Sequence, residues 1–129
     1  MIRMPDATVL IVEPHADSAA MFAEVLRWAG FRVEAASAAE ACRSYPPRRI
    51  PLDVVVVGMR CCDGPVVRVL SGGRAVPAIA ITSDPRDTDQ AAAFGYASVL
   101  LRPVEPSLLI SEVRRVVRSA GRRSSPGAA

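Results

Sequence analysis

Residues 53–58, Asp53-Val54-Val55-Val56-Val57-Gly58, decide the architecture of this chain. Successive side chains of a strand point to opposite faces, so an unbroken valine run leaves neither face polar. A strand of that kind belongs in the middle of a parallel sheet with helices on both sides. Gly58 ends the run. Similar apolar segments flank it: 7–12 (ATVLIV), the alternating Phe31-Arg32-Val33-Glu34-Ala35, Pro77-Ala78-Ile79-Ala80-Ile81 ending at Thr82-Ser83, and Ser98-Val99-Leu100-Leu101 closed by Arg102-Pro103. Between them lie helix signals. Asp17 is a candidate N-cap for a helix with Met21, Val25 and Trp28 at helical spacing, ended by Gly30. Ser37 opens a short helix through Cys42, stopped by Pro46-Pro47. Asp63-Gly64-Pro65 opens another through Leu70, closed by a turn at Ser71-Gly72-Gly73. A fourth helix covers about 87–94 and ends at Gly95, and Pro106 opens a last one with Leu109, Val113, Val116 and Val117 on one stripe.

Five strands alternating with helices predict an α/β fold, a doubly wound five-stranded parallel sheet of (βα)5, flavodoxin-like topology. The length of 129 residues fits one such domain. In these folds ligands and chemistry sit at the carboxyl ends of the strands. The residues to weigh are therefore Glu13-Pro14, Gly58, Thr82-Ser83 and Arg102-Pro103. Asp53 begins its strand and stands at the opposite end.

Composition narrows the function. Hydrophobic residues make up 50% of the chain and aromatic residues 5%, so the core is built from Val, Ile, Leu and Ala. No apolar run is long enough to span a membrane and none has secretory flanks, which makes a cytoplasmic location the expectation. The cysteines, Cys42, Cys61 and Cys62, are odd in number and lack zinc-like spacing; Cys61-Cys62 reads as two reduced thiols in a loop. All 16 basic residues are arginine. Arg114, Arg115, Arg118, Arg122 and Arg123 stand near the C-terminus against Glu112, so the net charge of +3 resides at that end. Arginines without interleaved aromatics read as a solvated basic face, so nucleic acid is not an expected partner. His15 has no orienting carboxylate in sequence and reads as a surface residue. Neither a G-x-S-x-G elbow, a GxxxxGK[ST] loop nor a G-x-G-x-x-G turn is present.

The strand-end residues carry a resemblance to a family. The segments VLIVEPHADSAAMFAEVLRWAGFRVEAASAAEA (from Val9), LDVVVV (from Leu52), VPAIAITS (from Val76) and FGYASVLLRPVEPSLLISEVRRVV (from Phe94) together resemble a response-regulator receiver domain of two-component signalling. The resemblance implies a receiver-like domain over 1–118; the small, polar, proline-containing end makes 119–129 a disordered basic tail or a truncated linker in expectation. In the family an acidic pair after strand one binds Mg²⁺ with an aspartate after strand three, which accepts a phosphoryl group. A hydroxyl after strand four and a Lys after strand five contact that group. Here Glu13 matches the first acid, Pro14 falls on the second, Gly58 on the acceptor, Thr82 on the hydroxyl and Arg102 on the Lys. Val99 takes the place of the switching aromatic.

The resemblance thus implies a degenerate, pseudo-receiver site with no metal and no cofactor, in a non-enzymatic module that works by phosphorylation-independent protein contacts. Its expected partner is a protein, docking on the face of the fourth helix, fifth strand and fifth helix (residues 87–118), with Arg114 and Arg118 as candidate contacts. A homodimer through that face is a further expectation. Two alternatives stand beside this reading: a phosphoaccepting receiver that uses Asp63, and a structural dimerisation domain of a larger transcriptional regulator. Asp63 also reads as the N-cap of its own helix.

Overall fold

The valine run at 54–57 occupies the middle of the sheet, as its two apolar faces require, and every residue of Val54–Gly58 is buried. The computed structural model describes residues 7–36, 52–58, 70–71 and 74–123. In chain order the elements are β1 (Thr8–Val12), α1 (Ala16–Trp28), β2 (Arg32–Ala35), β3 (Val54–Gly58), β4 (Leu70–Ser71), β5 (Arg74–Ala75), β6 (Ala78–Thr82), a 3-10 helix (Pro85–Gln90), α2 (Ala91–Phe94), β7 (Ser98–Leu101) and α3 (Pro106–Arg123). The main sheet has five strands in the order β2-β1-β3-β6-β7, all parallel. This is the doubly wound order with its reversal between β1 and β3, the place where such sheets open a crevice. The flavodoxin-like fold expected from sequence is the one observed.

Each sheet face has its own core. One gathers Val9, Ile11, Val54, Val56, Ile79 and Ile81 under α1 and α3, through Phe22, Leu26, Leu109, Val113 and Val116. The other gathers Leu10, Val12, Val55, Val57, Ala80 and Tyr96. The period of two along each strand makes this division. At the amino edge the Asp53 carboxylate accepts the Thr8 N–H at 2.8 Å and ties β3 to β1, far from the strand ends that matter for chemistry.

Several local expectations change. His15, not Asp17, is the N-cap residue of α1, and it makes no side-chain cap; Asp17 lies in the first turn, where its charge meets the positive end of the helix. The buried face of α1 is Phe22, Ala23 and Leu26, while Met21 is 43% and Trp28 85% exposed. The reason is charge. Ala19, Phe22, Ala23 and Leu26 form an apolar stripe free of ionisable groups, whereas Met21 and Trp28 share their side of the helix with Asp17 and Glu24. Leu70 is not the end of a helix but pairs with Ala75 in a short antiparallel ladder. Gly-Gly between two short runs is a hairpin signal, and it outweighs the weak helical pattern.

The segment expected as one helix over 87–94 is a 3-10 helix followed by a single α-turn, closed by Gly95 at φ 79. The last helix continues to Arg123, past the edge at 118 expected for the domain. The helices expected from Ser37 to Cys42 and from Asp63 onward, the thiols of Cys61 and Cys62, and residues 124–129 lie outside the described residues. Among the described residues no helix is long and apolar enough to cross a membrane.

Leu26 is fully buried between α1 and the sheet, so Leu26→Ala removes packing that nothing can refill. The substitution should lower unfolding free energy by about 2–5 kcal/mol, whereas Leu108→Ala on the exposed side of α3 should cost no more than about 0.5 kcal/mol. Urea denaturation of both variants checks the contrast.

Candidate functional site

Sheet register assembles the site before any side chain is considered. Val12 pairs with Val57, Gly58 with Ile81, and Thr82 with Leu101. The next residue along each strand brings Glu13, Gly58, Thr82 and Arg102 to one carboxyl edge. The Arg102 N–H donates to the Thr82 carbonyl at 2.7 Å, extending the ladder past the end of β7, and the Arg102–Pro103 peptide is cis.

Glu13 is the centre of the arrangement. Its side chain is 1% exposed, yet both carboxylate oxygens have partners. Oε1 accepts a hydrogen bond from Arg102 Nη2, and Oε2 accepts the His15 N–H at 2.9 Å, at the start of α1. Arg102 also reaches Ser18 Oγ at 3.4 Å, and its guanidinium carbon lies 6.0 Å from the centre of the Phe22 ring. Aromatic faces attract cations at that distance. The ion pair therefore joins β1, α1 and the end of β7. A buried pair is costly to desolvate, but removing one partner costs more, because the other charge is left behind.

Gly58 stands directly beneath this carboxylate. A Cβ built at position 58 would lie 2.9 Å from Glu13 Oε1 and 3.2 Å from Pro14 Cδ. The backbone there is ordinary strand, so close approach and not dihedral freedom requires the glycine. The acceptor position is thus not a vacant hole: Glu13 and Pro14 occupy the space into which a side chain would grow.

Thr82 is equally committed. Its hydroxyl donates to Asp87 Oδ2 at 2.5 Å and accepts the Asp84 N–H at 3.1 Å, with Thr82 and Asp87 both buried. Asp84 caps the 3-10 helix by accepting the Arg86 N–H at 2.9 Å, and its carboxylate also pairs with the Arg86 guanidinium. Sequence alone does not reveal Asp87. The available signal was Asp84-Pro85, a cap followed by a first-turn proline, which shifts the helix start and swings the next acid back onto Thr82. His15 and Ser83 are exposed at the rim of an open cleft of about 540 Å³ beside these residues.

The fold family implies Mg²⁺ at this edge, and the residues present do not fit it. The ion wants several oxygen ligands in octahedral array. Pro14 and Gly58 supply none, and the carboxylate of Glu13 is already spent on a guanidinium. Among the described residues no three of His, Cys, Asp or Glu are grouped to hold a metal.

The surface of residues 87–118 has two sides. On the β7 side Ser98 Oγ donates to Glu112 Oε1 at 2.9 Å, and Arg115 pairs with the same carboxylate at 3.0 Å. Val99 is half-buried in β7, packed against the second core. Arg114 and Arg118 lie elsewhere. Ile110 lines a groove against α1, whereas Arg114 and Arg118, one and two helical turns further along α3, are exposed and take no part in the Ser98–Glu112–Arg115 network. Asp63 lies outside the described residues.

No protein-family model matches the chain, and no curated protein matches it in sequence. Solved structures do. A CheY-like response-regulator receiver domain protein from Methanospirillum hungatei superposes with a TM-score of 0.66 at 12% identity, covering 92% of this chain and 98% of that one. The receiver domain of the Francisella response regulator 1452 gives 0.69 at 16% identity, covering 88% and 98%. The chemotaxis protein CheY4 of Vibrio cholerae gives 0.62 at 22% identity, covering 85% and 98%. At these identities the likeness is one of fold, and the fold is that of the CheY-like receiver.

Two outcomes follow from the geometry. Alanine for glycine in a strand with free space gains about 0.5–1 kcal/mol. Here Gly58→Ala should instead cost about 1–3 kcal/mol, because Glu13, held by Arg102, and Pro14 must shift to admit the methyl. In a Glu13→Ala background the same change should cost less, a coupling that urea titration of the four proteins reads directly.

The second outcome concerns pH. The hydrogen bond from Arg115 is the main influence holding the Glu112 carboxyl below its ordinary value of 4.5, with Ser98 assisting and burial opposing. A depressed carboxyl stabilises the fold fully above the unfolded value and loses that contribution as pH falls through the folded one. Glu112→Gln should therefore be less stable than the parent at neutral pH, by no more than about 1 kcal/mol for so exposed a pair, and equal to it in acid. Unfolding curves at both pH values check it.

Proposed function

We propose that this chain is a receiver-type signalling module that works through protein contacts and does not accept a phosphoryl group at its strand-end site. One observation carries the reading: Glu13 lies over Gly58, bound to Arg102, where a receiver would hold its acceptor and its metal. Phosphoryl transfer to a protein carboxylate needs a nucleophile, a metal to neutralise the equatorial oxygens and a free cation. Gly58 removes the first, Pro14 and the engaged Glu13 weaken the second, and the Glu13 carboxylate competes for the third. Arg102 also differs from lysine, because its planar fork approaches an oxygen differently from a compact ammonium. Thr82 already donates its hydroxyl proton to Asp87.

The module acts by binding, with no chemical step of its own. Its proposed partner is a protein that meets the surface of residues 87–118, where Arg114 and Arg118 are exposed and in no ion pair among the described residues. Such rim charges set association rate and salt dependence more than final affinity.

Incubation with acetyl phosphate and Mg²⁺ should leave the intact mass unchanged. A phosphoryl adduct would overturn the proposal, and an adduct mapped to Asp63 would establish the alternative acceptor. Gly58→Asp alone should also remain unlabelled, since its new side chain starts in the space of Glu13. Labelling should require Pro14→Asp and Arg102→Lys with it.

A further inference from the structure

A pocket lies at the amino end of the sheet, away from Glu13 and Arg102. It encloses about 570 Å³, a size that suits a small organic molecule. Three pieces of chain surround it: residues 75–77 leading into β6, residues 95–97 leading into β7, and one face of α3. The two loop segments are fixed by the sheet. The Pro77 carbonyl accepts the Val55 N–H at 2.9 Å, and the Ala97 N–H donates to the Ala78 carbonyl at 2.8 Å. Behind them the Tyr96 N–H donates to the Ala91 carbonyl at 2.9 Å. The walls therefore stand ready before anything binds, and little ordering cost is left to weaken a ligand.

The lining chemistry says what fits there. Tyr96 and Val116, 8% and 3% exposed, form an apolar floor with Val76. Arg115 is the only charged residue among the described ones that line the pocket. Its Nε and Nη2 donate to Glu112, which leaves Nη1 without a hydrogen bond among the described residues. A guanidinium carries five N–H donors, so its other edge can take a second carboxylate. Four positions along the same side of α3 stands Ser119, half-buried in the pocket wall. Ser111 of that helix turns its hydroxyl back onto the Leu108 carbonyl at 3.1 Å, whereas the Ser119 hydroxyl makes no hydrogen bond among the described residues. A cation and a free hydroxyl above an apolar floor select a ligand with an anionic end and an apolar body.

We infer that this pocket binds a small organic acid, its apolar body on Tyr96, Val76 and Val116 and its carboxylate on Arg115 and Ser119. Glu112, which holds the other edge of the Arg115 fork, also accepts from Ser98 in β7, so occupancy of the pocket reaches the surface of residues 87–118. The inference does not depend on whether the strand-end site accepts a phosphoryl group.

Octanoate and phenylacetate, each beside its uncharged primary amide, test it by amide chemical-shift mapping of the full, isotope-labelled chain. At least one acid should shift the Gly95, Ala97, Ser119 and Ala120 amides saturably, with a dissociation constant below about a millimolar. Its amide should bind at least about tenfold more weakly, because the charge-assisted contact to Arg115 is lost. Arg115→Gln should weaken the acid by more than about tenfold and leave the amide unchanged, and Arg115→Lys, which keeps the charge but not the fork, should fall between. Ala97→Leu, at an exposed position of the wall, should block acid and amide alike while keeping the parental melting curve. Saturable shifts with neither acid overturn the inference. So does binding that Arg115→Gln leaves intact, and so do shifts confined to the strand-end cleft or to the groove between α1 and α3.

Discussion

A carboxylate almost wholly removed from water, Glu13, has to find a cation and donors inside the protein, and the carboxyl edge of the sheet is arranged to supply them. Arg102 comes from the last strand, the His15 N–H from the start of α1, and the close approach is possible only because position 58 carries no side chain. Phe22 backs the guanidinium and Ser18 takes a second of its nitrogens. The geometry turns a place that resembles a receiver's reaction site into a clasp between the first and last strands. Gly58, Glu13 and Arg102 are best understood as one unit, in which a change at any member alters the other two.

Much of this was legible in the sequence, for definite reasons. Val54 to Val57 can only be a central strand, and once five strands alternate with helices the parallel order follows, with Glu13, Gly58, Thr82 and Arg102 at a common edge. What could not be read was how those residues spend their polar groups. Gly58 looks like a missing nucleophile in a string of letters; its role as clearance for Glu13 needs the third dimension. Thr82 looks free until Asp87 is seen beneath it.

The helices carried a different ambiguity. On α1 two apolar stripes have helical spacing, and the one containing the largest side chain is not the one that is buried. The neighbouring Asp17 and Glu24 resolve the choice, a signal present in the sequence but weaker to the eye than a tryptophan. On α3, adjacent arginines differ: Arg115 reaches Glu112 beside β7, while Arg114 is exposed and takes no part in that pair. At 100° per residue, consecutive letters never share a face, so a cluster of arginines in sequence is not a cluster in space.

The clasp also has a temporal side. Glu13 and Arg102 are 89 positions apart in the chain. During synthesis β1 and β3 are made long before β7, and the sheet they begin contains an acid whose counter-charge does not yet exist. An uncompensated carboxylate resists burial, so the early strands have reason to stay loosely packed and hydrated at that edge until residue 102 arrives. Completion of the domain is thereby coupled to completion of its last strand, and a chain cut short before Arg102 would expose its defect at the site where the finished protein is most tightly closed.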